Sequence, residues 1–338
     1  MTEFERDAHA VLLPVVSDFE VDPWLRRLLE QGTRSVLVGE SRDEYVARAM
    51  SADRHDGESV ETFTAFAADV ERSTDGLPLL AVDQEPWGIA RLHGLVPVFP
   101  DKDELANLSD EEISAAAAAV GAAARRLGVN VFLSPVLDVL SGANPWLQGR
   151  TLDYGHEQVG RIAAAFVTGV QGAGVMAVAK HFPGHPELAD DPALRDTVLD
   201  NQHTVDADLL PFGKVIAAGV RAIMTGPVVV NAIDPDEPAS TSAKTVGILR
   251  RDLGFQGLIV TDDLDTPSTT RGRSLRDTVL ASLEAGADLL LLPGGPELIE
   301  IAHDIARQAQ LDPAFGIRLA EAAERVRHTA DLAGSGRN

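Results

Sequence analysis

Cysteine is absent from the 338 residues. That excludes disulfides, thiolate nucleophiles and thiolate metal sites. Aromatic residues make up only 5%, so the core must be built mostly from Ala, Val, Leu and Ile. Basic residues are in deficit: 29 Lys and Arg face 52 Asp and Glu, a formal net charge of −23. The acidic excess is spread along the chain and forms no tail. Such a surface repels phosphate backbones and anionic lipid, which argues against nucleic acid and membranes as partners. No apolar run approaches the ~20 residues of a membrane span. The opening MTEFERDAHAVLLPVV lacks a basic leader, and its apolar stretch is too short for a signal sequence. The expected compartment is the cytoplasm. Also missing is a GxGxxG after the first apolar run, the usual fingerprint of a dinucleotide-binding open sheet.

What is present is enough apolar material for a large core, 45% of the chain, laid out in eight short runs. They are His9 to Val16, Arg34 to Glu40, Leu77 to Glu85, Val129 to Val139, Val175 to Gly184, Arg221 to Val230, Gly257 to Leu264 and Ala287 to Gly295. The runs are continuously apolar and not alternating, as expected of parallel strands covered on both faces. Helical stretches separate them. The clearest is DEEISAAAAAVGAAARRLG, with Ser109 as its N-cap and Gly128 at its end. DPWLRRLLEQG, HEQVGRIAAAFVTGVQGAG, LLPFGKVIAAG and SLRDTVLASLEAG are others, and most end in glycine. Eight strand-then-helix units predict an α/β fold of the (β/α)8 barrel type, one domain over residues 1–338, with a doubly wound open sheet as the runner-up. Two longer connections, Leu140 to Asp153 and His185 to Asp208, follow strands four and five and rise over the active face.

Barrel enzymes carry their chemistry at the C-terminal ends of the strands, and charged residues cluster there. Asp83 and Glu85 close the third run, and Asp138 follows the fourth strand. Lys180, His181 and His185 close the fifth run, and Asp262 and Asp263 close the seventh. Arg150 lies in the loop after strand four. Asp262, fixed at the end of an apolar strand, is the candidate nucleophile or charge stabiliser, and Asp263 the candidate helix cap. Lys180 and His181 are adjacent, so a regular strand points them to opposite faces. At the strand's frayed end both reach the pocket. His181 and His185 are four apart, but the intervening FPG blocks a helix, so no HxxxH metal site is expected. Trp87, at the rim of strand three, is a candidate to stack on a ring of the ligand, or else a lid residue packed on the barrel top.

These stretches resemble glycoside hydrolase family 3. The similarity lies in LLAVDQE (Leu79 to Glu85), SPVLDV (Ser134 to Val139) with ANPWLQGRTLDYG after it, KHFPGH (Lys180 to His185) and LGFQGLIVTDDL (Leu253 to Leu264). It covers nearly the whole chain in order, at a length close to the single-domain β-N-acetylglucosaminidases of that family. The resemblance implies a barrel acting at the anomeric carbon of a sugar, with retention through a glycosyl-enzyme and no cofactor. It makes Asp262 the nucleophile and Asp83, Arg150, Lys180 and His181 sugar-hydroxyl contacts, with His185 beside them. The partner it implies is a small carbohydrate or glycoconjugate. The oligomeric state stays open, a homodimer included.

The chain also departs from the family. Single-domain members continue past KHFPGH with glycine and reach Asp-Ser-His, whose histidine is the general acid/base. Here the loop is PELADDPALRD: Asp191 falls on the family Asp, while Pro192 and Ala193 replace Ser and His, and Pro186 replaces the glycine. Gly88 stands for a family Arg, Pro227 for a family His, and DDLDT for DDLSM. General acid catalysis is worth ~10²- to 10⁴-fold in rate. Three outcomes follow. Another group on the loop supplies the proton, with Glu187, Asp190, Asp191, Asp196 and His203 as candidates. Or the substrate needs no acid, as in hydrolysis of an activated glycoside or rearrangement of a glycosylamine or sugar. Or the protein binds sugar without turning it over.

Overall fold

The computed structural model describes residues 1–200 and 205–334. All eight apolar runs carry a strand of one parallel sheet: β1 (Leu12–Val16), β2 (Ser35–Val38), β3 (Leu79–Val82), β4 (Val131–Phe132), β5 (Met176–Phe182), β6 (Ala222–Thr225), β7 (Leu258–Val260) and β8 (Leu290–Leu292). Each pairs with its neighbour in chain order, and β8 pairs back onto β1 through Leu12↔Leu290. Between β7 and β8 the ring is joined by the parallel bridge Val260↔Leu289 and by the Thr261 amide donating to the Leu289 carbonyl at 3.0 Å. The expected (β/α)8 barrel is what forms.

Two runs are longer than their strands. In the sixth run only Ala222–Thr225 joins the barrel. Val229–Val230 pairs instead with Val198–Leu199 in a separate two-stranded parallel ribbon, which ties the loop after β5 to the loop after β6. In the fourth run the strand stops at Phe132, and Val136 makes an isolated bridge to Lys180. A helix not read in the sequence, Glu3–Ala10, precedes β1 and starts with a capping box between Thr2 and Glu5. The Ala-rich helix runs Asp110–Arg126, with Ser109 and Glu112 forming its capping box. Gly128 follows it at φ +89°. A Cβ there would come within 2.4 Å of the Ala67 side chain, so the turn requires glycine.

The barrel has two apolar layers because side chains alternate along each strand. Leu79 and Ala81 of β3 point inward with Leu13, Leu37, Val131, Met176, Val178 and Leu258. Leu80 and Val82 point outward against the helical ring. Small and medium side chains fill the interior, which accounts for the low aromatic content. The C-terminal helix, Pro313–Gly334, adds Val326, Ala330 and Ala333 to the inner cluster. It is fixed beneath β8 by Asp288, a fully buried carboxylate. Asp288 Oδ1 accepts from Arg318 at 2.5 Å and Arg325 at 2.6 Å, and Oδ2 from Arg250 at 2.6 Å and the Ile259 amide at 2.9 Å. These contacts lie at the N-terminal ends of the strands, so the C-terminal ends are left to form the mouth. Among the described residues no helix is long and apolar enough to cross a membrane.

Removing Asp288 leaves three guanidinium groups facing one another around a buried hole. Asp288→Ala is expected to lower unfolding free energy by about 3 kcal/mol or more, read from the urea midpoint. A loss below about 1 kcal/mol would place the anchor elsewhere.

Candidate active site

A cavity of about 460 Å³ opens at the C-terminal ends of the strands. Its walls bring together Asp83, Lys180, His181 and Asp262, four of the residues expected there from their positions at strand ends, and Arg150 from the loop after strand four.

Asp83 and Glu85 extend β3 beyond Val82, and Lys180 belongs to β5. Lys180 Nζ donates to Asp83 Oδ1 at 2.6 Å and lies 2.9 Å from Glu85 Oε1. Arg150 forks onto the same carboxylate, Nη2 to Oε1 at 2.7 Å and Nε to Oε2 at 3.1 Å. Burial alone would raise the Glu85 carboxyl, but Arg150 and Lys180 overcome it and hold the group well below the usual carboxylate range. Lys180 is likewise disfavoured by burial, yet Asp83 and Glu85 keep it charged and raise its pKa. Gly88, at φ +139°, lets the chain pass beside this pair: a Cβ there would come within 2.4 Å of Glu85 Oε2 and 3.0 Å of Arg150 Cγ. The space a larger residue would need is taken by the ion pair.

Asp138, buried at the end of the fourth run, organises a second cluster. Its Oδ2 accepts from the His181 amide at 3.0 Å and lies 2.8 Å from His181 Nδ1. Its Oδ1 accepts from the His185 amide at 2.8 Å and lies 3.0 Å from His185 Nδ1. Burial would raise this carboxyl, and the two histidines pull it far down. The His181 ring is pushed down to about 3 by burial, which outweighs Asp138. It is therefore neutral at pH 7. With the Nδ1 proton directed at Asp138, Nε2 is left as an acceptor on the cavity side. The pairing of β5 with β6 shifts between Ala179 and Phe182. With the strand irregular there, Lys180 and His181 both face the cavity; the peptide between them is cis.

Asp262 follows β7. Its amide donates to the Thr225 carbonyl at 3.1 Å and Ser240 Oγ at 3.3 Å, and its Oδ1 accepts from the Asp263 amide at 2.8 Å. Oδ2 has no hydrogen-bond partner among the described residues, and His181 Nε2 stands 4.0 Å from it. Burial pushes this carboxyl up to about 6, against the Asp263 amide, Lys180 and Arg150. Asp262 is thus held through its backbone and Oδ1, with its other oxygen buried and unpartnered among the described residues.

Other expected residues lie elsewhere. Trp87 does not line the cavity. The turn after β3 is closed by the Gln84↔Ala90 bridge and by the Glu85 amide donating to the Ile89 carbonyl at 2.8 Å. It delivers the Trp87 ring to Phe99, 5.9 Å away between centroids. The aromatic wall is instead Trp146, buried 4.4 Å from the His181 ring, with Nε1 donating to the Tyr45 hydroxyl at 2.7 Å. Burial raises Tyr45 to about 12, so it stays a phenol. His185 is fully buried behind the cavity, its Nε2 without a partner.

The loop after β5 does not bring its acids to the cavity either. Glu187 is exposed with its carboxyl against Gly142. Asp191 Oδ1 accepts from the Ala193 amide at 2.9 Å, and Oδ2 lies 3.6 Å from Arg48. Asp190 faces Arg195, and Asp196 pairs with Arg271. His203 lies outside the described residues. The loop is held by the Leu188 amide to the Ala143 carbonyl, the Ser268 amide to the Pro192 carbonyl and the Thr197 amide to Ser268 Oγ.

Trp146 and Glu40 are among the wall residues that the sequence did not single out. Trp146 sits inside a stretch used only for its resemblance. Glu40 closes the second run just as Asp83 and Glu85 close the third, and the rule that found Asp83 applies equally to it. Its Oε2 is buried without a partner. Burial, Asp83 and Glu85 push it up to about 8 despite Lys180. Among the described residues no group of three or more His, Asp or Glu is arranged to hold a metal ion.

The sequence matches the Glycosyl hydrolase family 3 N terminal domain over residues 46–328. It is 32% identical over 259 residues to a beta-hexosaminidase of Methylococcus capsulatus, a match covering 75% of this chain and 78% of that one. The fold superposes on a family 3 beta-N-acetylglucosaminidase from Paenibacillus sp. with a TM-score of 0.86 at 26% identity, over all of this chain and 64% of that one. It superposes on a beta-N-acetylhexosaminidase from Beutenbergia cavernae with a TM-score of 0.83 at 26% identity, over 98% and 99% of the two chains. With the domain matched over most of its length and the barrel shared end to end, this chain belongs to glycoside hydrolase family 3.

Proposed function

We propose that the protein is a retaining glycosidase of the β-hexosaminidase type, in which Asp262 attacks the anomeric carbon of a bound sugar. The observation that carries this is the Asp262 carboxylate, which lines the cavity at the end of β7, fixed through its backbone and Oδ1, with a buried Oδ2 that has no hydrogen-bond partner among the described residues. A bond forms between the Asp262 carboxylate and the anomeric carbon as the bond to the leaving oxygen breaks. Water then cleaves the glycosyl-enzyme and regenerates the carboxylate. Asp83, Lys180, Arg150 and the His181 acceptor line one side of the same cavity and suit the hydroxyls of a small carbohydrate or glycoconjugate. The relatives named above support a hexosamine as the sugar.

Glu187, Asp190, Asp191 and Asp196, on the loop after β5, are not among the residues that line this cavity. The activity that fits is one in which the leaving group departs with little help. Glycosylamine rearrangement, which also begins at the anomeric centre, is the second function compatible with the same placement. It is recognised by a rearranged sugar appearing in the NMR spectrum without released aglycone.

Nucleophilic attack needs ionised Asp262. Raised to about 6, the carboxyl keeps its proton below that pH and loses it above. The kcat/KM for an aryl N-acetyl-β-glucosaminide is therefore expected to climb with pH up to about 6 and then level off. Asp262→Asn should cut kcat by ~10³-fold or more while leaving the fold intact by circular dichroism. An unchanged rate would remove Asp262 from the chemistry.

Without a well-placed acid, rate should depend steeply on the leaving group. A dinitrophenyl glycoside is expected to exceed the matching methyl glycoside by more than the ~10²- to 10⁴-fold that general acid catalysis supplies. Comparable rates on the two would mean that a proton donor does reach the glycosidic oxygen.

A further inference from the structure

The cavity is far more acidic than a neutral sugar requires. Asp18, Glu20 and Asp22 enter it from the loop after β1, Glu40 from the end of β2, and Asp265 from beyond β7. The cations on its walls among the described residues are Arg150 and Lys180. Both are already engaged, Arg150 with Glu85 and Lys180 with Asp83 and Glu85. A concave wall of one sign over a low-dielectric floor concentrates counter-ions and repels anions.

One carboxyl stands apart from the rest. Glu40 lines the cavity, yet its Oε2 is buried and meets no hydrogen-bond donor among the described residues. An acid withdrawn from water and left unpaired is costly to keep charged. Its acidic neighbours are Asp83 and Glu85, and the cation beside it, Lys180, is already spent on those two. A positive group arriving next to Glu40 would supply the partner it lacks. Going round the barrel, β2 is separated from β7 by β8 and β1, so Glu40 and Asp262 occupy different walls of the mouth. A ligand spanning them presents its scissile end to Asp262 and its far end to Glu40.

We propose that the natural substrate is an amine-bearing glycoside, whose ammonium is received by Glu40 and Asp83 at the β2–β3 wall while its anomeric carbon faces Asp262. This rests on the glycosidase function proposed above and adds the charge of the substrate to it. Proton balance is simple: the ammonium donates hydrogen bonds, and Glu40 gives up its proton to solvent as the cation docks. Glu40 is then a specificity-determining residue, and anionic sugars are excluded by the same wall.

The test compares an aryl N-acetyl-β-glucosaminide with its 4-amino-4-deoxy and 6-amino-6-deoxy derivatives at pH 7. At least one amino derivative is expected to exceed the hydroxyl parent in kcat/KM by about 10- to 100-fold, the worth of one charge-assisted hydrogen bond. The advantage should collapse toward parity in Glu40→Gln, survive in part in Glu40→Asp, and shrink in 0.5 M salt. Parent turnover with no preference for either amine overturns the inference and leaves the glycosidase function standing. A preference that persists undiminished in Glu40→Gln overturns it as well. If no glycoside is turned over, the glycosidase function fails. Calorimetry of the same compounds on the unmodified protein then decides the charge claim by itself: tighter binding of an amine supports it, and equal or absent binding overturns it.

Discussion

Glu85 holds one side of the barrel mouth together. Its carboxylate is fully enclosed, and two cations from separate parts of the chain converge on it: Lys180 from β5 and Arg150 from the loop after β4. Burying an acid is expensive unless it is matched and hydrogen-bonded. Here the match is close to complete, with the fork of Arg150 taking both oxygens and Lys180 adding a further contact to one. Position follows from this constraint. Lys180 cannot leave without exposing a charge, so it also fixes Asp83 at the cavity wall. Arg150 cannot leave either, and its guanidinium stays 5.7 Å from the Trp146 ring.

Buried carboxyls in this mouth fall into two kinds, separated by whether they have partners. Glu85 and Asp138 are surrounded by donors and are held as carboxylates across the whole working pH range. Asp262 and Glu40 each have a buried oxygen with nothing to accept from, and burial raises them both. The first pair builds the frame, and the second pair lines the cavity with that acceptor unused. Environments that push like groups apart are how one fold assigns them different tasks. Asp138 extends the frame by taking the amide and ring of both His181 and His185, which fixes the segment between them in backbone and side chain together.

Much of this was legible before any coordinates. Continuous apolar runs marked the eight strands because both faces of each strand are covered, and charges at their ends marked Asp83, Lys180, His181 and Asp262. What failed has physical causes. Trp87 and Trp146 are both tryptophans in loops over the mouth, and the turn closed between Gln84 and Ala90 carries Trp87 to Phe99. The acids after β5 looked available because that loop is long and polar. Its direction is set by backbone amides bonding to Ala143, Pro192 and Ser268, contacts between distant segments that no local pattern encodes. Glu40 was missed for a different reason, since it sat in plain view at the end of a run. The helix at the N-terminus escaped because its apolar stripe is weak, and the Thr2–Glu5 capping box was its one strong local signal.

The barrel keeps its two poles apart. At the floor, Asp288 gathers Arg250, Arg318 and Arg325, and Arg327 reaches Asp7 at 2.7 Å, so the first and last helices are stitched across one another. None of these groups touches the cavity. Rigidity is thus invested at one end and novelty is permitted at the other: loops over the mouth can be rewritten without drawing on the bonds that keep the vessel closed. A lineage on such a scaffold is free to exchange one glycoside for another at little risk to its own survival as a folded chain.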